Sequence, residues 1–263
     1  MNKPNLRFLL LLAGILSSSV SAALSGNGTG DSLRKNRQRC LIIGGYAGLA
    51  QPGGDLSSDY GSFGEAGGSI QLLTKTGFLL GLEGGFLFGG NVKKDPIPNL
   101  RNPDGTVSGT DGNDAVFKVF QRGSLVPVLR IGYRIPQQKP WIRGNQLGGI
   151  TICGGSGWLR HYTYIQDLSK KTPQFSDNYR IGYDRLATGL FSGLWLGYLY
   201  LADHGRINLH FEMGYGMGFT KTARYSFVDG SPAGQSRRDD LFQLRLKLCF
   251  AVKSRAENTV YFY

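Results

Sequence analysis

Six charged side chains stand out, because each sits on the small or polar side of a segment whose other side is apolar. They are Glu83, Arg130, Arg134, Glu212, Arg245 and Lys247, with Glu65 a less secure seventh. Successive side chains of an extended chain point to opposite faces, so Arg130 and Arg134 share a face, as do Arg245 and Lys247. Charges of both signs drawn into one enclosed space pair rather than stand alone. The chemistry on offer is an ion-paired plug, or the lining of a narrow gated pore.

Catalysis and metal binding find little to work with. The histidines are His161, His204 and His210. Ser156 and His161 have opposite parity on one strand, so their side chains point to opposite faces. His210 and Glu212 share a face, but no nucleophile accompanies them. Each histidine reads as a satisfied interior or loop residue. No spacing of Cys and His is that of a metal site, and no cofactor is implied. Cys40, Cys153 and Cys249 are not a disulfide framework. Closing a ring of strands would bring Cys40 and Cys249 to one end, which leaves a cross-strand disulfide open.

The elements that must hold these charges are strands. In residues 206–221, RINLHFEMGYGMGFTK, one face is Ile207, Leu209, Phe211, Met213, Tyr215, Met217 and Phe219. The other is Asn208, His210, Glu212, Gly214, Gly216, Gly218 and Thr220. This period of two outlasts most soluble strands, and the stretch is long enough to cross a bilayer at a tilt. Residues 78–89, 124–135 and 241–252 alternate in the same way. In the second of these, Leu125, Leu129, Ile131, Tyr133 and Ile135 form the expected outer row against Val126, Arg130, Gly132 and Arg134. Weaker alternation marks 39–50, 64–74, 148–164 and 188–201.

The connections alternate as well. Residues 74–77 and 202–206 are short and 136–147 is intermediate. Residues 51–63, 90–123, 165–187 and 225–240 are longer, and rich in Gly, Asp, Asn, Ser and Pro. Short turns at one end and long loops at the other are the pattern of outer-membrane barrels. The expected fold is all-β: an antiparallel transmembrane β-barrel of about eight strands, with short periplasmic turns and long extracellular loops. A soluble sandwich or lipocalin-like barrel would need cover for its outer apolar rows, and no helical segment offers it. With eight strands the interior is only wide enough for side chains to fill it.

The chain ahead of the strands fits export. Lys3 and Arg7 precede the apolar run 8–16, then small residues lead to a cleavage after Ala22. Residues 1–22 read as a signal peptide rather than a retained anchor. The first cysteine, Cys40, lies too far on for a lipoprotein. Residues 23–38 read as a flexible periplasmic arm, with the basic cluster Arg34, Lys35, Arg37 and Arg39 at its end. Residues 39–253 then form the barrel and 254–263 an aromatic tail. Forty glycines and 12% aromatics among 263 residues suit strands that curve and pack closely. The formal charge of +12 falls to about +10 once Lys3 and Arg7 are cleaved away. That excess suits anionic lipid headgroups or an acidic partner, or is plain solvated charge; scattered basic residues on an exported chain argue against nucleic acid.

Three stretches resemble one family, the PorG-like outer-membrane barrels of the Bacteroidetes type IX secretion system. The most specific is RIGYDRLATGL, where Gly182, Tyr183, Asp184, Arg185 and Leu186 match the family's GYDRL-type run. The second is SLVPVLRIGYRIP followed by GGITICGGSGWLRHYTYI, with His161 where the family tends to place a histidine. The third is the aromatic ending Tyr261, Phe262 and Tyr263. The resemblance implies a non-enzymatic accessory component of type IX protein secretion. Such a component holds a periplasmic ring, made of a lipoprotein and its partner protein, at the outer membrane. The periplasmic surfaces available are the basic arm, the tail, and the turn bearing Lys139, Trp141 and Arg143. Trp141 there has either the membrane interface or a partner to bury it. For residues 182–186 the plainer reading is a loop–strand junction, with Asp184 and Arg185 paired locally to pin the third long loop.

Overall fold

The computed structural model describes residues 39–104, 106–115, 117–136, 148–168, 172, 182–202 and 208–253. Eight strands follow in chain order: β1 (Cys40–Gly54), β2 (Phe63–Leu73), β3 (Phe78–Gly89), β4 (Phe117–Pro136), β5 (Gly149–Asp167), β6 (Ala187–Tyr200), β7 (Asn208–Thr222) and β8 (Ser236–Lys253). Each pairs antiparallel with its neighbours, and β1 pairs with β8, so the sheet closes into a barrel with no free edge. One short helix, Leu56–Asp59, lies in the loop between β1 and β2.

Alternation fixes which side of each strand faces out. On β7 the outer row is Leu209, Phe211, Met213, Tyr215, Met217 and Phe219, and the inner row runs from Asn208 to Thr220 as expected. β3 and β8 expose Phe86, Phe88, Leu244, Leu246, Leu248 and Phe250 in the same manner. These rows make a continuous apolar outer surface around polar and charged inner positions. That is the architecture of the bacterial outer membrane, with long loops outside and short turns on the periplasmic side. The turn after β2 is as tight as expected: Thr74 N–H donates to Phe78 O at 2.8 Å, and Gly77 supplies a φ of +98°.

The inner glycines of β7 have a steric reason. A Cβ on Gly214 would lie 2.1 Å from the Trp195 indole, and one on Gly216 would lie 2.1 Å from the Phe191 ring. Glycine on β7 thus leaves the volume that two large side chains of β6 fill, which a barrel of this width requires.

Three expectations are corrected by the fold. β4 starts at Phe117, seven residues before the expected 124, and β8 starts at Ser236 rather than 241. Within β4 the pairing register shifts between Leu125 and Val128. Leu125 is therefore buried and Val126 exposed, the reverse of the expected faces. Two consecutive outward residues, Val126 and Pro127, absorb the shift, and proline has no N–H to lose from the ladder there.

The possible Cys40–Cys249 disulfide is also corrected. Cys40 pairs with Lys253, whereas Cys249 pairs with Gly44. Four residues of strand then separate them, roughly 13 Å, beyond the ~7 Å that a bridge can span. All three cysteines are buried and none is disulfide-bonded. Unreduced, denatured protein should accordingly take up iodoacetamide at all three thiols. A mass spectrum showing two unmodified cysteines would contradict this register.

Candidate functional site

The barrel interior is built in layers. At the periplasmic end Cys40, Ile42, Leu73, Leu79, Cys153, Leu199, Leu201 and Cys249 form one apolar cluster. Toward the extracellular end Leu56, Tyr60, Phe63, Leu125, Leu159, Phe191 and Trp195 belong to a second. Between them lies a charged layer drawn from five strands, and it gathers five of the six singled-out charges together with Glu65.

Arg130 of β4 donates to Glu83 Oε2 at 2.7 Å and to both oxygens of Glu212 at 2.8 and 3.0 Å. Lys247 Nζ lies 2.6 Å from Glu83 Oε2 and 2.8 Å from Glu212 Oε2. Arg245 forks onto Glu65 at 2.7 and 3.0 Å and also donates to Glu83 Oε1. Three carboxylates thus meet three cations, and no side chain among them is more than 2% exposed. The pairs β3–β8 and β4–β7 lie far apart around the ring, so these bonds cross the barrel axis. The Arg130 guanidinium also sits 4.5 Å from the Trp195 ring centre, and that of Arg245 4.8 Å from Tyr46. A desolvated cation gains from the negative face of an aromatic ring.

Arg134 is the exception. It is buried on the same inner face, two inward positions beyond Arg130 toward the periplasmic end, beside the turn closed by Gly77. His210 joins the edge of the charged layer: its Nε2 is 2.9 Å from Thr151 Oγ1 and 3.5 Å from Glu212 Oε1.

A second polar group near the extracellular mouth escaped sequence reasoning. His161 Nε2 lies 2.8 Å from Asp239 Oδ2, which also accepts from the Thr220 hydroxyl. Tyr60 rests edge-on to His161 and its hydroxyl meets Thr163 at 2.8 Å. The Thr220 hydroxyl is engaged by the carboxylate rather than presented to the imidazole, so the trio ties β5, β7 and β8 together. Asp239 fell in an expected loop; only the early start of β8 gives it an inward parity. Ser156 and His161 do face opposite ways, and Ser156 donates to Phe191 O at 3.0 Å.

The stretch from Gly182 to Leu186 is a junction of loops. Gly182 has φ +107° and accepts from Phe227 N at 3.0 Å, and Tyr183 packs 5.5 Å from the Phe227 ring. Asp184 and Arg185 do not pair with each other, contrary to expectation. Asp184 binds Arg224 at 3.1 Å, while Arg185 reaches the carbonyls of Lys94 and Asp95 and lies 3.6 Å from Asp59. Arg185 holds φ +47°, a left-handed conformation costing on the order of 1 kcal/mol for a residue with a Cβ. That turn sends adjacent side chains to different loops. Leu186 O accepts from Ala223 N at 2.8 Å.

These loops enclose a polar cavity of about 360 Å³. Lys94, Arg185, Arg224 and Arg237 line it beside Asp55, Asp59, Asp184 and Asp229. Lys94 spans from the second loop to Asp229 in the fourth at 2.9 Å. Partial burial raises the Asp229 carboxyl, but hydrogen bonds from Lys94, Ser231 and Ser226 outweigh it and hold the group well below the usual range. A depressed carboxylate contributes stability above its unfolded pKa and loses it only as pH falls through the folded one. The tie should therefore persist below the ordinary aspartate pKa of about 4. Replacing Asp184 with alanine removes its partly exposed contact to Arg224, so a loss within about 1 kcal/mol is expected in the barrel's urea unfolding. A larger loss would assign the motif a core role.

Lys139, Trp141, Arg143 and His204 lie outside the described residues, as do residues 1–38 and 254–263.

No family model matches the chain, and no curated protein matches it. Solved structures resemble it in architecture. One is the attachment invasion locus protein Ail of Yersinia pestis, in complex with the heparin analogue sucrose octasulfate. Its identity is 11%, over 81% of this chain and 99% of that chain, with a TM-score of 0.40. Neisserial surface protein A is 12% identical over 79% of this chain and 96% of that chain, with a TM-score of 0.35. The N-terminal β-barrel domain of Pseudomonas aeruginosa OprF is 11% identical over 81% and 97%, with a TM-score of 0.32.

Proposed function

We propose that this barrel is an outer-membrane anchor that docks the type IX secretion machinery, holding a periplasmic ring of a lipoprotein and its partner protein at the membrane. The observation that carries the reading is the charged layer crossing the barrel axis between two apolar clusters. An interior filled in this way offers no path for protein cargo, so its use lies in surfaces rather than in a conduit. The resemblance at Gly182–Leu186 supplies the secretion system, and the docking surfaces it implies are the arm, the tail and the turn with Lys139, Trp141 and Arg143.

Crosslinking in native outer membranes, followed by pull-down of this chain, tests the proposal. Recovery of ring components is the expected result. Their absence under conditions that keep the rings intact would overturn it. A second reading, a narrow solute or ion channel or a general envelope-structure protein, is motivated by the polar inner positions. Planar-bilayer recording separates the two: steady unit conductance across wild-type protein would favour the channel, and silence the anchor.

A further inference from the structure

A pair of outward arginines is used by neither the charged layer nor docking. Arg122 of β4 and Arg160 of β5 both point outward and are exposed. In the ladder Arg122 pairs with Tyr162 and Arg160 with Ser124, so the two arginines are diagonal neighbours about 7–8 Å apart. Their outward neighbours include Phe86, Phe88, Phe120, Ser124, Trp158, Tyr162, Tyr164 and Thr188, and none of these is acidic. Arg122 stacks 3.7 Å from the Tyr164 ring centre and Arg160 lies 5.8 Å from that of Tyr162. Neither has a carboxylate partner among the described residues. Both arginines line one outward groove, where their charges lack a counter-ion and an anion would supply it.

Their height matters. Arg122 stands level with Tyr162 and Arg130 with Gly155, seven residues lower on β5. That is roughly 23 Å of strand, or about 18 Å along the axis of a barrel tilted near 40°. Arg160, five residues above Gly155, stands about 13 Å up by the same reckoning. The apolar belt of such a barrel reaches only ~12 Å from its middle, so Arg160 sits at its rim and Arg122 among the outer-leaflet headgroups. Beside it a groove of about 470 Å³ runs past Phe86, Phe88 and Tyr162. A guanidinium pair above an aromatic groove is complementary to a phosphate attached to acyl chains.

We infer that Arg122 and Arg160 clamp the phosphate of a phosphorylated, acylated glycolipid of the outer leaflet, with an acyl chain lying in the groove beside Phe86 and Phe88. This inference stands apart from the docking proposal and rests only on the barrel's placement in the membrane.

The test is native mass spectrometry of the full mature chain in detergent micelles, titrated with diphosphorylated lipid A, its dephosphorylated form, or inorganic phosphate. The wild-type protein should retain the diphosphorylated lipid about tenfold more strongly than the dephosphorylated one, given the strength of paired charge-assisted bonds. The double variant Arg122→Gln/Arg160→Gln should lose that preference, and Arg122→Lys/Arg160→Lys should recover part of it. All three proteins should keep the gel shift of a folded barrel, since the substituted side chains face outward at the interface. Equal retention of both lipids, or an unchanged preference in the Gln variant, would overturn the inference. Displacement of the lipid by millimolar inorganic phosphate would also overturn it, by showing a free-anion site.

Discussion

Replacing Glu83 with glutamine should unfold the barrel more readily than any single change outside the charged layer. Glu83 accepts from Arg130, Arg245 and Lys247, and it is 1% exposed. Without its charge, three cations would face two carboxylates in a space that admits little water. Removing one partner of a buried ion pair costs roughly 3–5 kcal/mol, most of it for the charge left behind. The measurement is the urea midpoint of the refolded barrel in micelles, followed by gel mobility. A companion variant makes the interpretation specific. Glu83→Met combined with Lys247→Met removes one charge of each sign and should recover most of the loss, because apolar replacements of a whole buried pair are often neutral. If Glu83→Gln unfolded within about 0.5 kcal/mol of wild type, a range typical of surface changes, the layer would not be the ion-paired plug described here.

The second large effect is expected on the opposite side of the wall. Leu194 is 68% exposed, and it adjoins Trp195, whose ring meets Arg130 in the charged layer. It therefore sits near mid-height on the lipid face. Arginine at that depth should cost about 2–4 kcal/mol in a bilayer, falling to ~0–1 kcal/mol near the interface. Leu209, close to the periplasmic end of β7, supplies the shallow control. Folding yields of Leu194→Arg and Leu209→Arg in lipid vesicles should differ accordingly. Equal yields would mean that the outer row of β6 does not face lipid at this depth. The two predictions are complementary, since a charge is required on one side of a strand and excluded from the other within a few ångströms.

Much of this was legible in the residues because a strand obeys a strict period of two. The faces of β3, β7 and β8 follow directly from it, and with them the inward placement of Glu83, Glu212, Arg245 and Lys247. The period fails wherever a residue is inserted. At Val126 and Pro127 it turned Leu125 from an expected outer residue into a buried one, and Pro127 was the available signal. Strand ends were legible least. Residues 117–123 and 236–240 carry charges that resemble loop, yet they extend the wall because neighbouring strands offer ladder partners there.

The class of wall follows from the residues alone: apolar outside, small and charged inside, long enough to span a bilayer. It does so because lipid imposes one requirement on every strand at once. Which charges touch was decided only by closure. Arg130 finds Glu83 and Glu212, and Arg245 finds Glu65, through shear and register between strands up to 180 residues apart. The His161–Asp239–Thr220 tie and the parting of Asp184 from Arg185 are decided the same way. Alternation says which way a side chain points, and only the closed ring says what it meets.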